Sequence, residues 1–197
     1  DAYAHTVAHD LKNPVSAILG FAEHLSQDAA IPEAERLEAL EAIARSASKM
    51  QEIIDDLLLL GEARRAVVAW RPVDLRAVVT ESLRGLGHEV RRLGAEVRLP
   101  GAWPTPLGHA PWVERAVANY LSNALKYGGR PPRVEVGCEA LDDLRVRVVV
   151  RDDGRGLTPA ELERTFVPFT RLSREAAEGH GLGLSIVRRL VERMGGE

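Results

Sequence analysis

The stretch AHTVAHDLKNPVSAILGFAEHL, residues 4–25, sets apolar side chains on a seven-residue grid. Ala4, Leu11, Ile18 and Leu25 form one row, Val7, Pro14 and Phe21 a second, and Ala8, Val15 and Ala22 a third. Rows offset by three and four residues are the stripe of an amphipathic helix, and three of them make it wide enough for a bundle. The spacing predicts a helix to about Gln27, with His9, Ser16 and Glu23 on the face away from the stripe. Asp28-Ala29-Ala30-Ile31-Pro32 interrupts the pattern. Pro32 followed by Glu33 and Glu35 suits the first turn of a second helix, where a missing N–H costs nothing and carboxylates meet the positive end of the dipole. That helix is predicted to run to about Arg65, with a seam of Leu37, Leu40, Ala44, Ala47, Gln51, Ile54 and Leu58 broadened by Ile43, Met50 and Leu57.

A helix of about 30 residues is ~45 Å long. Two such helices in a hairpin cannot cover so wide an apolar face, whereas a second copy of the hairpin can. The expectation is a homodimer through the N-terminal helices, a four-helix bundle. The alternative is a hairpin packed on the rest of its own chain.

After Gly61 the texture changes. Residues 67–70 and Arg71-Pro72-Val73-Asp74-Leu75 read as an extended linker and short strand, and Asp74 suits the cap of a helix from Leu75 to about Leu93. Glu96 to Leu99 alternates as a short strand, residues 101–106 form a proline-rich turn region, and Pro111 to Tyr127 reads as a helix ended by Gly128-Gly129. Val134 to Ala140 and Leu144 to Arg151 alternate as two strands of a hairpin turning at Asp142-Asp143. Thr158-Pro159-Ala160-Glu161 opens a short helix with a capping-box pattern, and Leu182 to Met194 forms a last one. Helices and antiparallel strands in this order predict an α+β sandwich from about residue 68. The expected division is 1–66 for the helical hairpin and 67–197 for the sandwich.

At 197 residues and 45% hydrophobic content, the chain can bury a core in each of two small domains. A formal charge of −3 and 5% aromatic content leave no basic patch with interleaved aromatics, so no nucleic-acid partner is expected. The single cysteine, Cys138, lies in an alternating strand pattern with no metal-ligand spacing, compatible with a reducing cytosol. Apolar runs such as Leu57 to Leu60 fall far short of the roughly 20 residues that cross a bilayer, so no membrane segment is expected. Residue 1 already lies inside a helical pattern, with no initiator Met and no signal-peptide pattern, so a piece of a longer protein is expected.

Four groups of residues carry chemistry. His9 and Asn13 are one helical turn apart on one face, with Asp10 beside them. An exposed imidazole titrates near neutral pH and can attack a phosphoryl group, while an adjacent carboxylate can orient the ring and take its proton. The bland alternative is a solvated histidine beside a helix bent at Pro14. Asn119, Asn123 and Lys126 place two amide oxygens and an ammonium in one row, which suits a partly hydrated Mg²⁺ carrying nucleotide phosphates. A polar stripe on an amphipathic helix explains that row equally well.

Asp152-Asp153-Gly154-Arg155-Gly156 ends an apolar strand. A carboxylate there can accept from the exocyclic amine of a base, and glycines let the backbone approach a flat ring, although a plain Gly-rich turn has the same composition. Gly179-His180-Gly181-Leu182-Gly183 opens a helix whose backbone N–H groups form an anion site. It is no Rossmann fingerprint, since no βαβ unit surrounds it. Residues 170–178 read as a mobile lid, and Arg171 or Arg174 can reach a transferring phosphoryl group or stand as solvated charge.

In this order the residues resemble the core of bacterial two-component sensor histidine kinases over nearly the whole chain. His9-Asp10-Leu11-Lys12-Asn13-Pro14 is similar to the phosphoacceptor box, Asn119 to Tyr127 to the N box, Asp152 to Gly156 to the G1 box, Phe166 to Phe169 to the F box, and Gly179 to Gly183 to the G2 box. The resemblance implies a dimeric helical hairpin followed by an ATP-binding α/β sandwich. It implies that His9 takes the γ-phosphoryl group of ATP with Asp10 as general base, and that Asn13 positions water in the reverse, phosphatase reaction. Asn123 would be the principal Mg²⁺ ligand with Asn119 nearby, Lys126 and Tyr127 would contact the nucleotide, and Asp152 would bind the adenine amine. Gly154, Gly156, Gly181, Leu182 and Gly183 would shape the nucleotide loops. The implied partner is a response-regulator receiver domain, and the implied location is cytoplasmic, as part of a membrane-bound sensor.

Two departures stand out. The acidic residue beside the histidine is Asp10 rather than the commoner Glu, and its shorter arm still reaches. The chain stops at Gly195-Gly196-Glu197 where the family continues into a further β-hairpin, so a sheet edge is expected to lie open. A non-catalytic dimeric pseudokinase or scaffold is the rival reading. An ATPase of the same wider fold would carry a carboxylate where Asn119 stands.

Overall fold

In a computed structural model, residues 2–27, 31–65, 69–142, 145–168, 170 and 181–197 are described. The chain divides into two compact units, Asp1–Gly61 and Glu62–Glu197.

The first unit holds two long helices, α1 (Ala2–Gln27) and α2 (Glu33–Arg65), the last residues of α2 falling beyond its boundary at Gly61. Pro14 lies inside α1 and is buried there, and the helix runs on through it. Pro32 stands just before α2, and its carbonyl accepts the Arg36 N–H at 3.0 Å, so a proline with no donor of its own starts the ladder. The imidazole of His24 pairs with Glu35 at 2.9 Å and links the end of α1 to the start of α2. On α2 the buried side chains are Ala39, Ile53 and Asp56. All seven residues of the seam expected from the sequence, Leu37 to Leu58, are exposed. Gln51, the one polar member of that seam, donates its amide to the Asp55 carboxylate at 2.9 Å within the same helix.

The second unit is a two-layer sandwich. Its main sheet has the order β2 (Glu96–Arg98), β4 (Arg133–Ala140), β5 (Val146–Asp152), with β4 and β5 antiparallel as expected. The β2–β4 pair is parallel, whereas the sequence had suggested antiparallel strands throughout. Strands this far apart in the chain, joined through a helix, can pair parallel without a tight turn. β5 lies at the edge of this sheet, with Val148 exposed. A second, two-stranded sheet pairs β1 (Arg71–Pro72) with β3 (Leu107–Gly108).

Asp74 caps α3 (Leu75–Gly85), accepting the Ala77 N–H at 2.9 Å, as its position ahead of an apolar stripe predicts. The single helix expected from Leu75 to Leu93 is a correction: it breaks at Leu86, and α4 (Gly87–Leu93) restarts beyond it. Gly85 and Gly87 flank the break, and two residues of poor helix propensity within three positions leave little to hold a continuous ladder. Gly94 then stops α4 in the left-handed region at φ 62°.

α5 (Ala110–Tyr127) is the central helix, packed against α3, β4, β5 and α7 (Gly183–Arg193). It buries Trp112, Ala116, Val117, Leu121, Ala124 and Leu125. Of these, Val117, Leu121, Ala124 and Leu125 meet Val73, Leu75, Val78 and Val79 from the α3 side and Val134 and Val136 from the sheet in one cluster. Each fully buried aliphatic side chain there contributes about 1.5–3 kcal/mol relative to exposure. The outward face of the sheet carries ion pairs across neighbouring strands, Arg147 with Glu139 at 2.7 Å and Arg151 with Glu135 at 3.7 Å. The sheet therefore buries one face only. Among the described residues no helix is long and apolar enough to cross a membrane.

Candidate functional site

In the first unit, His9 stands on the solvent side of α1 with 65% of its side chain accessible. Its Nδ1 lies 3.1 Å from the Asp10 carboxylate. A carboxylate only accepts, so in the neutral ring this pairing favours the proton on Nδ1 and the lone pair on Nε2. Asn13 is also exposed, one turn along the same face. Exposure and an oriented lone pair are what a nucleophilic imidazole needs. A solvated histidine with no partner would lack the second.

In the second unit, α5 is the common wall of three loops. Asn119 donates its Nδ2 to the Arg115 carbonyl at 2.9 Å, which turns Oδ1 away from its own helix. That oxygen lies against the first residue of α7: a Cβ on Gly183 would stand 2.2 Å from it. At the other end of α5, the Tyr127 carbonyl lies against the loop after β5, where a Cβ on Gly154 would stand 2.2 Å away. Gly154 is thus brought against Tyr127 by a backbone approach that only glycine permits, and Gly183 against the side-chain oxygen of Asn119. Asn123 is half-buried between them on α5, and Lys126 is exposed one turn further on.

Asp152 stands at the end of β5, opposite Val134 and on the sheet face that α5 covers. One of its oxygens accepts the Gly154 N–H at 2.8 Å, closing the turn, and its second oxygen remains for a ligand. Gly156 holds φ 70° and Gly181 φ 69°, both in the left-handed region. Leu182, fully buried, precedes α7, and its carbonyl accepts the Ile186 N–H at 3.0 Å. Among the described residues no side-chain hydrogen bond caps α7, so the N–H groups that open it have no side-chain acceptor there. Gly179, His180, Phe169, Arg171, Arg174 and the expected lid beyond Thr170 lie outside the described residues.

Two neutral amides, one of them fixed by its own helix, suit a hydrated Mg²⁺ that draws its remaining ligands from water and phosphate, rather than an all-protein cage. Among the described residues, no three His, Cys, Asp or Glu side chains cluster as a metal site.

Two further residues of this region, Asp153 and Arg155, were given no role of their own from the sequence, and Glu161 only its place in a capping box. Asp153 accepts the backbone N–H groups of Gly129 at 2.7 Å and Arg133 at 2.9 Å. The Arg133 N–H first, and then that of Gly129, hold its carboxyl below the usual range. Arg155 forks onto Glu161 of α6 (Pro159–Thr165), with Nη1 to Oε2 at 3.0 Å. Glu161 in turn closes the expected capping box with Thr158, accepting its N–H at 2.9 Å. The Arg155 fork, then the Thr158 N–H, pull the Glu161 carboxyl down to about 2. The doubled carboxylate in Asp152-Asp153 was the available signal, since adjacent strand residues face opposite ways and so cannot share one role.

Two family models match the chain: His Kinase A (phospho-acceptor) domain over residues 2–65, and Histidine kinase-, DNA gyrase B-, and HSP90-like ATPase over residues 108–197. The methanogenesis regulatory histidine kinase FilI of Methanothrix harundinacea is 33% identical over all of this chain, which covers 22% of that protein. The solved mycobacterial sensor histidine kinase MprB is 31% identical at TM-score 0.57, over 64% of this chain and 81% of that one. Full-length ShkA in complex with AMPPNP is 25% identical at TM-score 0.68, over 97% of this chain and 40% of that one. The chain spans about a fifth to two fifths of the length of the curated relatives it matches.

Proposed function

The chain belongs to the sensor histidine kinases, and from that membership we propose that it moves the γ-phosphoryl group of ATP onto its own His9 and then onto a response-regulator aspartate. The observation that carries the reading is the exposed His9 ring with Nδ1 on Asp10, which leaves Nε2 free to attack.

In the transfer, the Nε2 lone pair forms the bond to the γ-phosphorus while the bond from that phosphorus to the β–γ bridging oxygen breaks, releasing ADP. The attack makes the ring cationic. Asp10 stabilises that charge and takes the Nδ1 proton, leaving an uncharged ring that bears the anionic phosphoryl group. Phosphoryl transfer depends mainly on positioning and on charge neutralisation, so the second unit must hold ATP with its γ-phosphate in line with Nε2.

Asp152 supplies a free carboxylate oxygen to the adenine amine, and Gly154 and Gly156 let the backbone lie flat against the ring. Gly181, Leu182 and the open N–H groups at Gly183 and beyond receive phosphate oxygens. Lys126 adds a positive charge near those phosphates, and Tyr127 lies at the nucleotide's edge. Asn123, with Asn119 beside it, would hold Mg²⁺, which neutralises phosphate charge when bound.

An amide in place of a carboxylate at Asn119 is a poor base for water. This favours transfer to histidine over hydrolysis. Asn13, exposed one turn from His9, positions water when the phosphorylated regulator is dephosphorylated. The exposed seam from Leu37 to Leu58 is covered by a second copy, giving the dimeric four-helix bundle.

The test is labelling with γ-labelled ATP and Mg²⁺, quenched in acid or in base. Phosphohistidine survives base and is lost in acid. His9→Ala is expected to abolish the label while leaving nucleotide binding intact. Acid-labile label retained on that variant overturns the assignment.

A further inference from the structure

Asp153 is assigned no contact with nucleotide or metal, yet its carboxylate bridges two separate segments of the second unit. A single oxygen, Oδ1, accepts two backbone N–H groups, from Gly129 at 2.7 Å and from Arg133 at 2.9 Å. Those donors belong to the turn that leaves α5 and to the first residue of β4, while Asp153 itself follows β5. The packing is close as well as bonded. A Cβ on Gly129 would stand 2.7 Å from Asp153 Oδ2, and one on Gly128 would stand 3.3 Å from Oδ1. Gly128-Gly129 therefore does more than stop a helix, because it opens the space that the carboxylate fills. The depressed titration of Asp153 agrees, since both N–H groups favour its charged form.

We infer that Asp153 is a positioning residue for nucleotide binding, splinting the turn after α5 to the loop 152–156 so that Asp152 and the α5 amides keep their separation. The inference rests on the assignment of Asp152 and Asn123 to the nucleotide. Beyond the splint, the loop meets α5 where Gly154 lies against the Tyr127 carbonyl. That contact limits approach but cannot prevent the loop from moving away.

The experiment uses the whole chain and four variants, Asp153→Ala, Asp153→Asn, Gly129→Ala and Asp152→Ala. Calorimetric titration with Mg·ADP gives Kd, labelling with ATP gives KM and kcat, and thermal unfolding monitors folding. Asp153→Ala is expected to raise Kd and KM about tenfold while kcat at saturating ATP stays within about twofold. Because one oxygen serves both donors, Asp153→Asn should restore most of that affinity. Gly129→Ala should reproduce the loss by pushing the carboxylate aside, and combining it with Asp153→Ala should add little.

The inference is overturned if Asp153→Ala binds Mg·ADP like the parent while Asp152→Ala does not. It is equally overturned if Asp153→Ala lowers kcat and thermal stability together and Asn restores neither. If Asp152→Ala itself leaves Kd unchanged, the underlying site assignment fails first and takes the splint with it.

Discussion

Replacing Gly154 with alanine tests whether α5 and the loop after β5 form one rigid site. The added Cβ would stand 2.2 Å from the Tyr127 carbonyl oxygen and 2.7 Å from Asp152 Oδ1. A carbon–oxygen contact needs roughly 3.3 Å, so the loop must retreat by ~1 Å from α5. The Tyr127 carbonyl is backbone in the last turn of a helix and cannot swing aside. Asp152 Oδ1 is held by the Gly154 N–H itself at 2.8 Å, so it cannot yield without losing that bond.

Overpacking of this kind costs about 1–3 kcal/mol of stability. A displacement of ~1 Å at a site built on positioning can lower the rate by about 10²-fold. The expected outcome is a folded variant with a modestly lower unfolding temperature and 10–100-fold weaker Mg·ATP binding, that range being an order-of-magnitude estimate. Titration calorimetry and thermal unfolding measure the two effects. Gly137→Ala is the control, since its Cβ would meet only Val149 at an ordinary 3.8 Å. Parental nucleotide affinity in folded Gly154→Ala would refute the close approach as a determinant of the site.

Asp10→Asn keeps an acceptor for His9 Nδ1 but cannot take its proton, so single-turnover labelling should slow by about 10²-fold with Mg·ADP affinity unchanged. A rate within about twofold of the parent would remove Asp10 as the base. Asn123→Ala should weaken Mg·nucleotide binding by about tenfold or more, and an unchanged titration would take that residue out of the site. Leu58→Glu, placed in the exposed seam, should shift sedimentation from dimer to monomer, and an unaltered dimer would move the interface elsewhere. Glu161 is depressed from 4.5 to about 2, so its contribution to stability is complete above pH 4.5 and lost as pH falls toward 2. Glu161→Gln should flatten that acid limb of the unfolding temperature, and an identical limb would show the Arg155 fork to be inconsequential.

The stalk was legible in the sequence because its information is periodic. Apolar rows seven apart can be satisfied by one conformation only, and the seam read from Leu37 to Leu58 is the face found exposed. The pairing of His9 with Asp10 was equally legible, being a neighbour contact on a helix. The break at Leu86 was not, since Leu83, Leu86, Val90 and Leu93 continue the helical spacing across it and all pack on the same core. β1 was read as a short strand at Arg71-Pro72, whereas β3, two residues long, is too short for an alternating pattern to register. The parallel pairing of β2 with β4 depends on a crossover through α5, which no local pattern records. Asp152 was read from its place at a strand end, whereas Asp153 depends on Gly129 and Arg133, more than a dozen residues away, and so left only the doubling of the carboxylate as a trace.

For the proposed pairing of two copies along the seam from Leu37 to Leu58, the hydrogen bond from Gln51 to Asp55 has a consequence for register. Six of the seven positions around Gln51 are aliphatic and interchangeable in their demands, so sliding one helix past another by a heptad would change little at any of them. Gln51 alone objects. Its nitrogen is engaged at home, and its remaining oxygen would be stranded among alkyl groups in a slipped pairing, which costs more than a lost contact. In the proposed pairing, one amide would thereby set the register of an otherwise permissive zipper.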